Sequence, residues 1–89
     1  HVVVFELPNE TLVIGGLEPR PSALEATVAA ADELDVSIAL EDHALGRWVT
    51  AIDGVAAEGW VYEVDGVRPL VGPEAFTLDR TSVVVWSLA

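Results

Sequence analysis

The chain has 89 residues, and its 15 acidic residues against four basic ones give a formal net charge of −11. A chain of this length is sufficient for one domain with a small core, and its hydrophobic content of 52% predicts that the core folds. The strong acidity disfavours nucleic acid and anionic membranes as partners, and the absence of cysteine excludes disulfides, zinc–thiolate sites and thiol catalysis.

The first elements form a hairpin pattern. Residues Val2 to Leu7 and Thr11 to Ile14 are β-rich runs, and Pro8-Asn9-Glu10 between them is typical of a turn. We therefore predict an N-terminal hairpin. The following Glu18 to Pro21 contains two prolines, which cannot continue a strand ladder, so it is predicted to be a connector.

A helix is predicted to begin at Ser22, because Ser22-Ala23-Leu24-Glu25 fits a capping box. It is predicted to end at Asp35. The spacing of its apolar residues predicts one narrow stripe facing a sheet, formed by Leu24, Val28, Ala31 and Leu34.

Alternating residues from Val36 to Leu40 predict a strand, and the residues from Trp48 to Ile52 predict the next one. Between them, Glu41 to Gly46 is interpreted as a polar loop. Asp53-Gly54 closes the second of these strands as a turn.

A further strand is predicted where Trp60, Tyr62 and Val64 alternate with more polar positions, which places these three side chains on one buried face toward the helix. Asp65-Gly66 then predicts a tight type I′ turn. Residues Val67 to Pro73 contain two prolines and a glycine and are expected to be irregular or an edge strand. The final run, Val83 to Leu88, is apolar on both faces and is expected to pair on both sides within the sheet.

With these turns and strands in place, Trp60 to Gly66 together with Val84 and Trp86 resembles the carboxy-terminal domain of transcobalamin and intrinsic factor, and its bacterial or archaeal relatives. The family pattern has Ile-Asn-Gly, then Trp-x-Tyr-x-Val-Asn-Gly, then Gly-Asp-x-Val-x-Trp. Here Asp53 and Asp65 replace the two asparagines, and Thr81-Ser82 replaces the last Gly-Asp. The similarity covers about Ser22 to Leu88.

The resemblance implies an α+β, β-grasp-like fold, in which one helix packs on a mostly antiparallel mixed sheet with an N-terminal hairpin. It also implies a role in binding a soluble ligand or a partner, often in secreted or cell-surface proteins. Transcobalamin holds its corrinoid between this small domain and a large helical domain that is absent here, so cobalamin is not expected for this domain alone. We expect residues 1–89 to be a single domain of a longer extracellular or cell-surface protein.

Candidate ligand-binding residues are the aromatic and basic side chains near the central strand, namely Arg47, Trp48, Trp60, Tyr62 and Arg68. Converging aromatic faces would form a stacking platform for a flat ligand or a sugar, and otherwise they would be core. Core is favoured for Trp60 and Tyr62, whereas Trp48 is expected to be exposed. Recognition is therefore predicted beside the hairpin, at Arg47-Trp48, Val55 to Gly59 and Arg68 to Pro73.

Two metal sites are weighed as alternatives. The terminal amine and ring of His1, with His43 and Tyr62, would suit a copper brace. Glu41 and Asp42 would suit calcium, although the regularly spaced acidic residues of an EF-hand loop are missing. Neither is adopted, and we predict no metal site and no cofactor.

No catalytic residues are predicted, because the sequence has neither a nucleophile elbow nor a glycine-rich phosphate loop. The function predicted from the sequence is a noncatalytic module that binds a small molecule or a protein partner. The alternative is a structural spacer or assembly domain whose aromatic residues are all core.

Overall fold

A computed structural model of the chain describes residues 1–44, 46–56, 59–78 and 80–88; the side chain of His43 lies outside that description. The elements follow in the order β1 (Val2–Glu6), β2 (Thr11–Ile14), α1 (Ala23–Leu34), β3 (Ile38–His43), β4 (Gly46–Ile52), β5 (Val55–Ala56), β6 (Trp60–Val64) and β7 (Val83–Leu88). Within the described ranges, α1 is too short to span a membrane.

The strands form two sheets. The larger has the order β2-β1-β7-β6, and the smaller has the order β3-β4-β5. Strands β1 and β7 are parallel, and the other neighbours are antiparallel. The predicted α+β class, the N-terminal hairpin and the pairing of β7 on both sides are therefore confirmed.

Both ends of α1 agree with the sequence prediction. The Oγ of Ser22 accepts a hydrogen bond from the backbone N–H of Glu25 at 3.2 Å, which satisfies one of the free amides of the first turn. At the other end Asp35 adopts a left-handed conformation with φ of 55°, and its N–H returns to the helix carbonyls. A short polar residue tolerates this conformation and ends the helix.

The buried face of α1 differs from the predicted stripe. Leu24 and Ala31 are buried and Leu34 packs against the core, but Val28 is 41% exposed. Small residues occupy the buried face, namely Ala23, Ala26, Thr27, Ala30 and Ala31 beside Leu24. They let the helix approach closely, so the face that packs is set by side-chain size as well as by hydrophobicity.

The polar loop predicted at 41–46 is wrong. Glu41, Asp42 and His43 extend β3 and pair with Trp48, Arg47 and Gly46 of β4, after a register shift between Ala39 and Leu40. Exposed antiparallel strands accept polar side chains on their solvent face, so polarity alone did not distinguish a loop from the end of a hairpin.

Both Asp-Gly pairs have positive φ at the two central positions, as a type I′ turn requires. Asp53-Gly54 joins β4 to β5. After Asp65-Gly66, however, only Val64 and Val67 pair, with N–H to carbonyl distances of 2.9 and 3.0 Å. Pro69 lacks an N–H and cannot extend that ladder, so β6 pairs along its whole length with β7 instead.

Trp86 of β7 is the largest of the fully buried side chains. Its ring stacks on Tyr62 with centroids 5.2 Å apart, and its Nε1–H donates to the Oγ1 of Thr27 at 2.8 Å. The hydroxyl of Thr27 in turn donates to the carbonyl of Ala23 at 2.7 Å. Trp86 therefore connects the face of β6 to the helix.

Replacing Thr27 with valine is expected to lower the free energy of unfolding by about 1–3 kcal/mol, because the indole N–H of Trp86 is left buried without an acceptor. The measurement is urea denaturation followed by circular dichroism. The control is Thr50→Val, which makes the same chemical change at an exposed hydroxyl bonded to the Ala39 carbonyl at 3.3 Å, and which should cost less than about 0.5 kcal/mol. Equal losses in the two variants would contradict this role for Thr27.

Candidate ligand-binding cleft

A cleft of about 130 Å³ opens between β4, β6 and the irregular segment 67–73. Aromatic and aliphatic side chains dominate its lining, and one arginine is the only charged member of the set. The lining residues are Trp48, Val49, Trp60, Val61, Tyr62, Arg68, Pro69, Leu70, Val71, Pro73 and Trp86.

The floor of the cleft is the buried face of β6. The Nε1–H of Trp60 donates to the carbonyl of Val55 at 2.9 Å, and the hydroxyl of Tyr62 donates to the carbonyl of Val71 at 2.5 Å. The Tyr62 ring also meets Phe76 edge to face, with centroids 6.4 Å apart. The polar atoms of the floor are thus bonded within the protein, and the rings present mainly apolar surface to the cleft.

One wall is the indole of Trp48, which is 37% exposed, as the sequence predicted. It lies against the backbone of Gly72, since a Cβ added to Gly72 would lie 3.4 Å from the nearest indole carbon. A partly exposed indole that lines an apolar cleft is suited to contact with a ligand ring.

The segment 67–73 forms the roof of the cleft and is held by backbone hydrogen bonds. The N–H of Leu24, in the first turn of α1, donates to the carbonyl of Pro73 at 2.9 Å. Just beyond the segment, the N–H of Ala23 donates to the carbonyl of Phe76 at 2.9 Å. These bonds satisfy amides that a helix leaves free at its start, so the helix terminus and the roof stabilise each other.

The structure brings together four of the five predicted site residues, Trp48, Trp60, Tyr62 and Arg68. Arg47 lies outside the cleft, and its Nε is 3.3 Å from an oxygen of Asp42 and 3.7 Å from one of Glu74. Neighbouring residues of a strand point to opposite faces, which accounts for the separation of Arg47 from Trp48.

The individually predicted site residues do not include Trp86, whereas Val71 lies within the predicted recognition segment Arg68 to Pro73. Trp86 lies directly opposite Tyr62 in the pairing of β6 with β7. The alternation of Trp86 with Val84 is visible in the sequence. The register that places Trp86 opposite Tyr62, however, is set by pairing between strands more than 20 residues apart.

The histidine proposed for a copper brace is turned inward. His1 is buried, its amine donates to the carbonyl of Leu17 at 2.8 Å, and its ring nitrogens lie 3.1 and 3.2 Å from the backbone amides of Arg20 and Ser82. A neutral imidazole has one acceptor nitrogen, so only one of these two ring contacts is a hydrogen bond at a time. The proposed contribution of His43 depends on its side chain, which lies outside the described part of the structure.

Within the described ranges, no group of three or more His, Asp or Glu residues has an arrangement able to hold a metal ion. Of the two acids considered for calcium, Asp42 is paired with Arg47. The described residues therefore give no geometric support to either metal alternative.

The fold is similar to two solved structures. The crystal structure of haptocorrin, a member of the transcobalamin family, in complex with Cbi matches with a TM-score of 0.80 and 18% identity, over 98% of this chain and 24% of haptocorrin. A metal-binding candidate from Ruminococcus gnavus ATCC 29149 matches with a TM-score of 0.73 and 12% identity, over 99% of this chain and 95% of that one. The chain thus spans about a quarter of the length of haptocorrin.

No family model matches the sequence, and no curated protein matches it. At these identities the similarity establishes a shared fold. It agrees with the family resemblance seen in the Trp60 to Gly66 pattern.

The phenol of Tyr62 is expected to ionise at a higher pH than that of an exposed tyrosine. Its burial raises the pKa of Tyr62 to about 12 from an ordinary value of 10. Between these pH values the unfolded chain ionises while the folded chain stays neutral, so the contribution of Tyr62 to stability is present below pH 10 and is lost as the pH rises through about 12. Because the chain has one tyrosine, the change in ultraviolet absorbance at alkaline pH reports the ionisation of this phenol.

Tyr62→Phe is the matched control for the stability measurement. It removes both the titrating group and the bond to the Val71 carbonyl, so urea denaturation should show a flatter dependence on pH between 10 and 12 than in the original protein. A phenolate midpoint near 10 in the folded protein would contradict the burial of this hydroxyl.

The wall formed by Trp48 depends on the small size of residue 72. Gly72→Leu is expected to displace the indole and shift Trp48 fluorescence to longer wavelength, because the added side chain needs the space that the ring occupies. Gly72→Ala is the control, since its Cβ would make an ordinary contact at 3.4 Å. An unchanged emission spectrum in Gly72→Leu would show that Trp48 does not rest on this backbone.

Proposed function

We propose that the chain is a noncatalytic binding module of an extracellular or cell-surface protein, and that it holds a ring-sized apolar group in the cleft beside Trp48. The observation that carries this proposal is the cleft itself, in which the partly exposed indole of Trp48 and three buried aromatic side chains, those of Trp60, Tyr62 and Trp86, line an apolar space. Leu70, which is fully exposed, and Val71, which is 46% exposed, extend the apolar surface at its mouth. Exposed apolar surface of this kind is typical of binding sites.

The size of the cleft limits what it binds. Apolar cavities of roughly 150 Å³ hold a molecule the size of benzene, and sites for drug-sized ligands are roughly 300–1,000 Å³. At about 130 Å³ the cleft fits one ring or one branched aliphatic group. A whole corrinoid is far larger, which supports the expectation that this domain alone does not bind cobalamin.

The chemistry of the lining supports a noncatalytic role. The described lining residues include no carboxylate, imidazole, thiol or aliphatic hydroxyl, which are the usual nucleophiles and general bases. The hydroxyl of Tyr62 already donates to a backbone carbonyl, and burial raises its pKa to about 12, which makes it a weaker acid than an exposed tyrosine. What the cleft supplies is shape and apolar contact.

The comparisons support binding as the role, since haptocorrin was crystallised in complex with Cbi. The extracellular placement rests on the family resemblance of residues 22–88, whose members are often secreted or located at the cell surface. The competing spacer role is favoured by the deep burial of Trp60 and Trp86, whose indole N–H groups are bonded inside the domain.

Benzyl alcohol, a neutral single-ring probe, is expected to bind with a Kd on the order of 1 mM, as its few non-hydrogen atoms allow. In two-dimensional NMR it should shift the indole N–H resonances of Trp48 and Trp60. Trp48→Ala should weaken this binding roughly two- to tenfold by removing one aromatic contact.

The control variant is Val13→Ala, which trims a 58% exposed apolar side chain on β2 that is not part of the cleft lining and should leave the affinity unchanged. If benzyl alcohol produces no saturable shift, or if Trp48→Ala binds as well as the original protein, the cleft is not a binding site and the spacer role gains support.

A further inference from the structure

The charge at the cleft is opposite in sign to that of the molecule. The chain carries a formal net charge of −11, yet the lining of the cleft contains Arg68 and no acidic residue. A local positive charge on an acidic protein favours an anionic group over a cationic one at that point.

The other arginines differ from Arg68. Arg47 lies near Asp42 and Glu74, and the Nη2 of Arg80 is 3.3 Å from an oxygen of Asp65. Arg20 faces two depressions that are both lined by acidic side chains. In the part of the chain that the structure describes, Arg68 has no ion pair, and it is an exposed residue in a mainly apolar lining.

The geometry points to a small aromatic carboxylate as the ligand class of the cleft, with the ring against Trp48 and the carboxylate toward Arg68. This inference rests on the proposed function and adds the charge of the ligand to it. A guanidinium presents paired N–H donors that match a carboxylate, and partial removal of water by the ring strengthens the contact. At physiological salt, charges farther than about 8 Å from the cleft are largely screened, so distant acidic side chains oppose this contact only weakly.

Three probes with one benzene ring each separate ring binding from charge recognition: phenylacetate is an anion, benzyl alcohol is neutral and phenethylamine is a cation. NMR titration of the intact chain at about 0.15 M salt gives a Kd for each. Phenylacetate is expected to bind roughly two- to fivefold more tightly than benzyl alcohol, as an exposed ion pair allows, and phenethylamine to bind most weakly.

Two variants with the same change in net charge identify the residue responsible. Arg68→Gln should remove the advantage of phenylacetate and leave benzyl alcohol binding intact. Arg47→Gln changes the total charge equally but lies outside the cleft, so the advantage should remain. An advantage that survives Arg68→Gln, or that is lost in Arg47→Gln, would overturn the assignment of the carboxylate to Arg68.

The probes also separate the two proposals. If all three bind with equal affinity, the charge inference is overturned and ring binding by the cleft stands. If none of them binds, both the inference and the proposed function are overturned.

Discussion

The contact on which the rest of the structure depends is that of Trp86 with Tyr62 and Thr27. Trp86 lies on β7, the strand that pairs with both β1 and β6, so it sits where the two ends of the chain meet. Its stacking on Tyr62 joins it to the floor of the cleft, and its N–H bond to Thr27 joins it to the helix. The buried indole N–H needs an acceptor, and this need fixes the rotation of α1 more strictly than apolar contact alone would.

The cleft exists because the chain cannot continue as a strand after Val67. Two prolines and a glycine between positions 69 and 73 prevent a regular ladder, and the segment instead crosses the face of β6. Its carbonyls then bond to the first turn of α1 and to the hydroxyl of Tyr62. The bonds that satisfy the helix terminus thus also hold segment 67–73 over the aromatic floor. In this way a loop gives a domain with a small core a concave surface.

The distribution of charge separates the cleft from the rest of the surface. Acidic side chains are spread along the whole chain, and those of Asp42, Glu74 and Asp65 accompany two of its four arginines. The described cleft lining has no acid, and Arg68 is at its edge. The cleft therefore carries a positive charge on an otherwise acidic surface, which neither the net charge nor the fold would reveal. This difference in charge also distinguishes the cleft from buried core.

The sequence by itself determined the elements whose signals are local: the Ser22 cap, the two Asp-Gly turns and the alternation of Trp60, Tyr62 and Val64. It also identified four side chains that line the cleft, because large aromatic residues beside an irregular segment are visible without coordinates. Only the tertiary structure decided that residues 41–43 extend a strand, that small residues rather than Val28 cover the helix face, and that Trp86 completes the floor while Arg47 points away. These features depend on strand register and close packing between distant segments, which are set by the whole fold and leave no periodic signal in a single stretch of sequence.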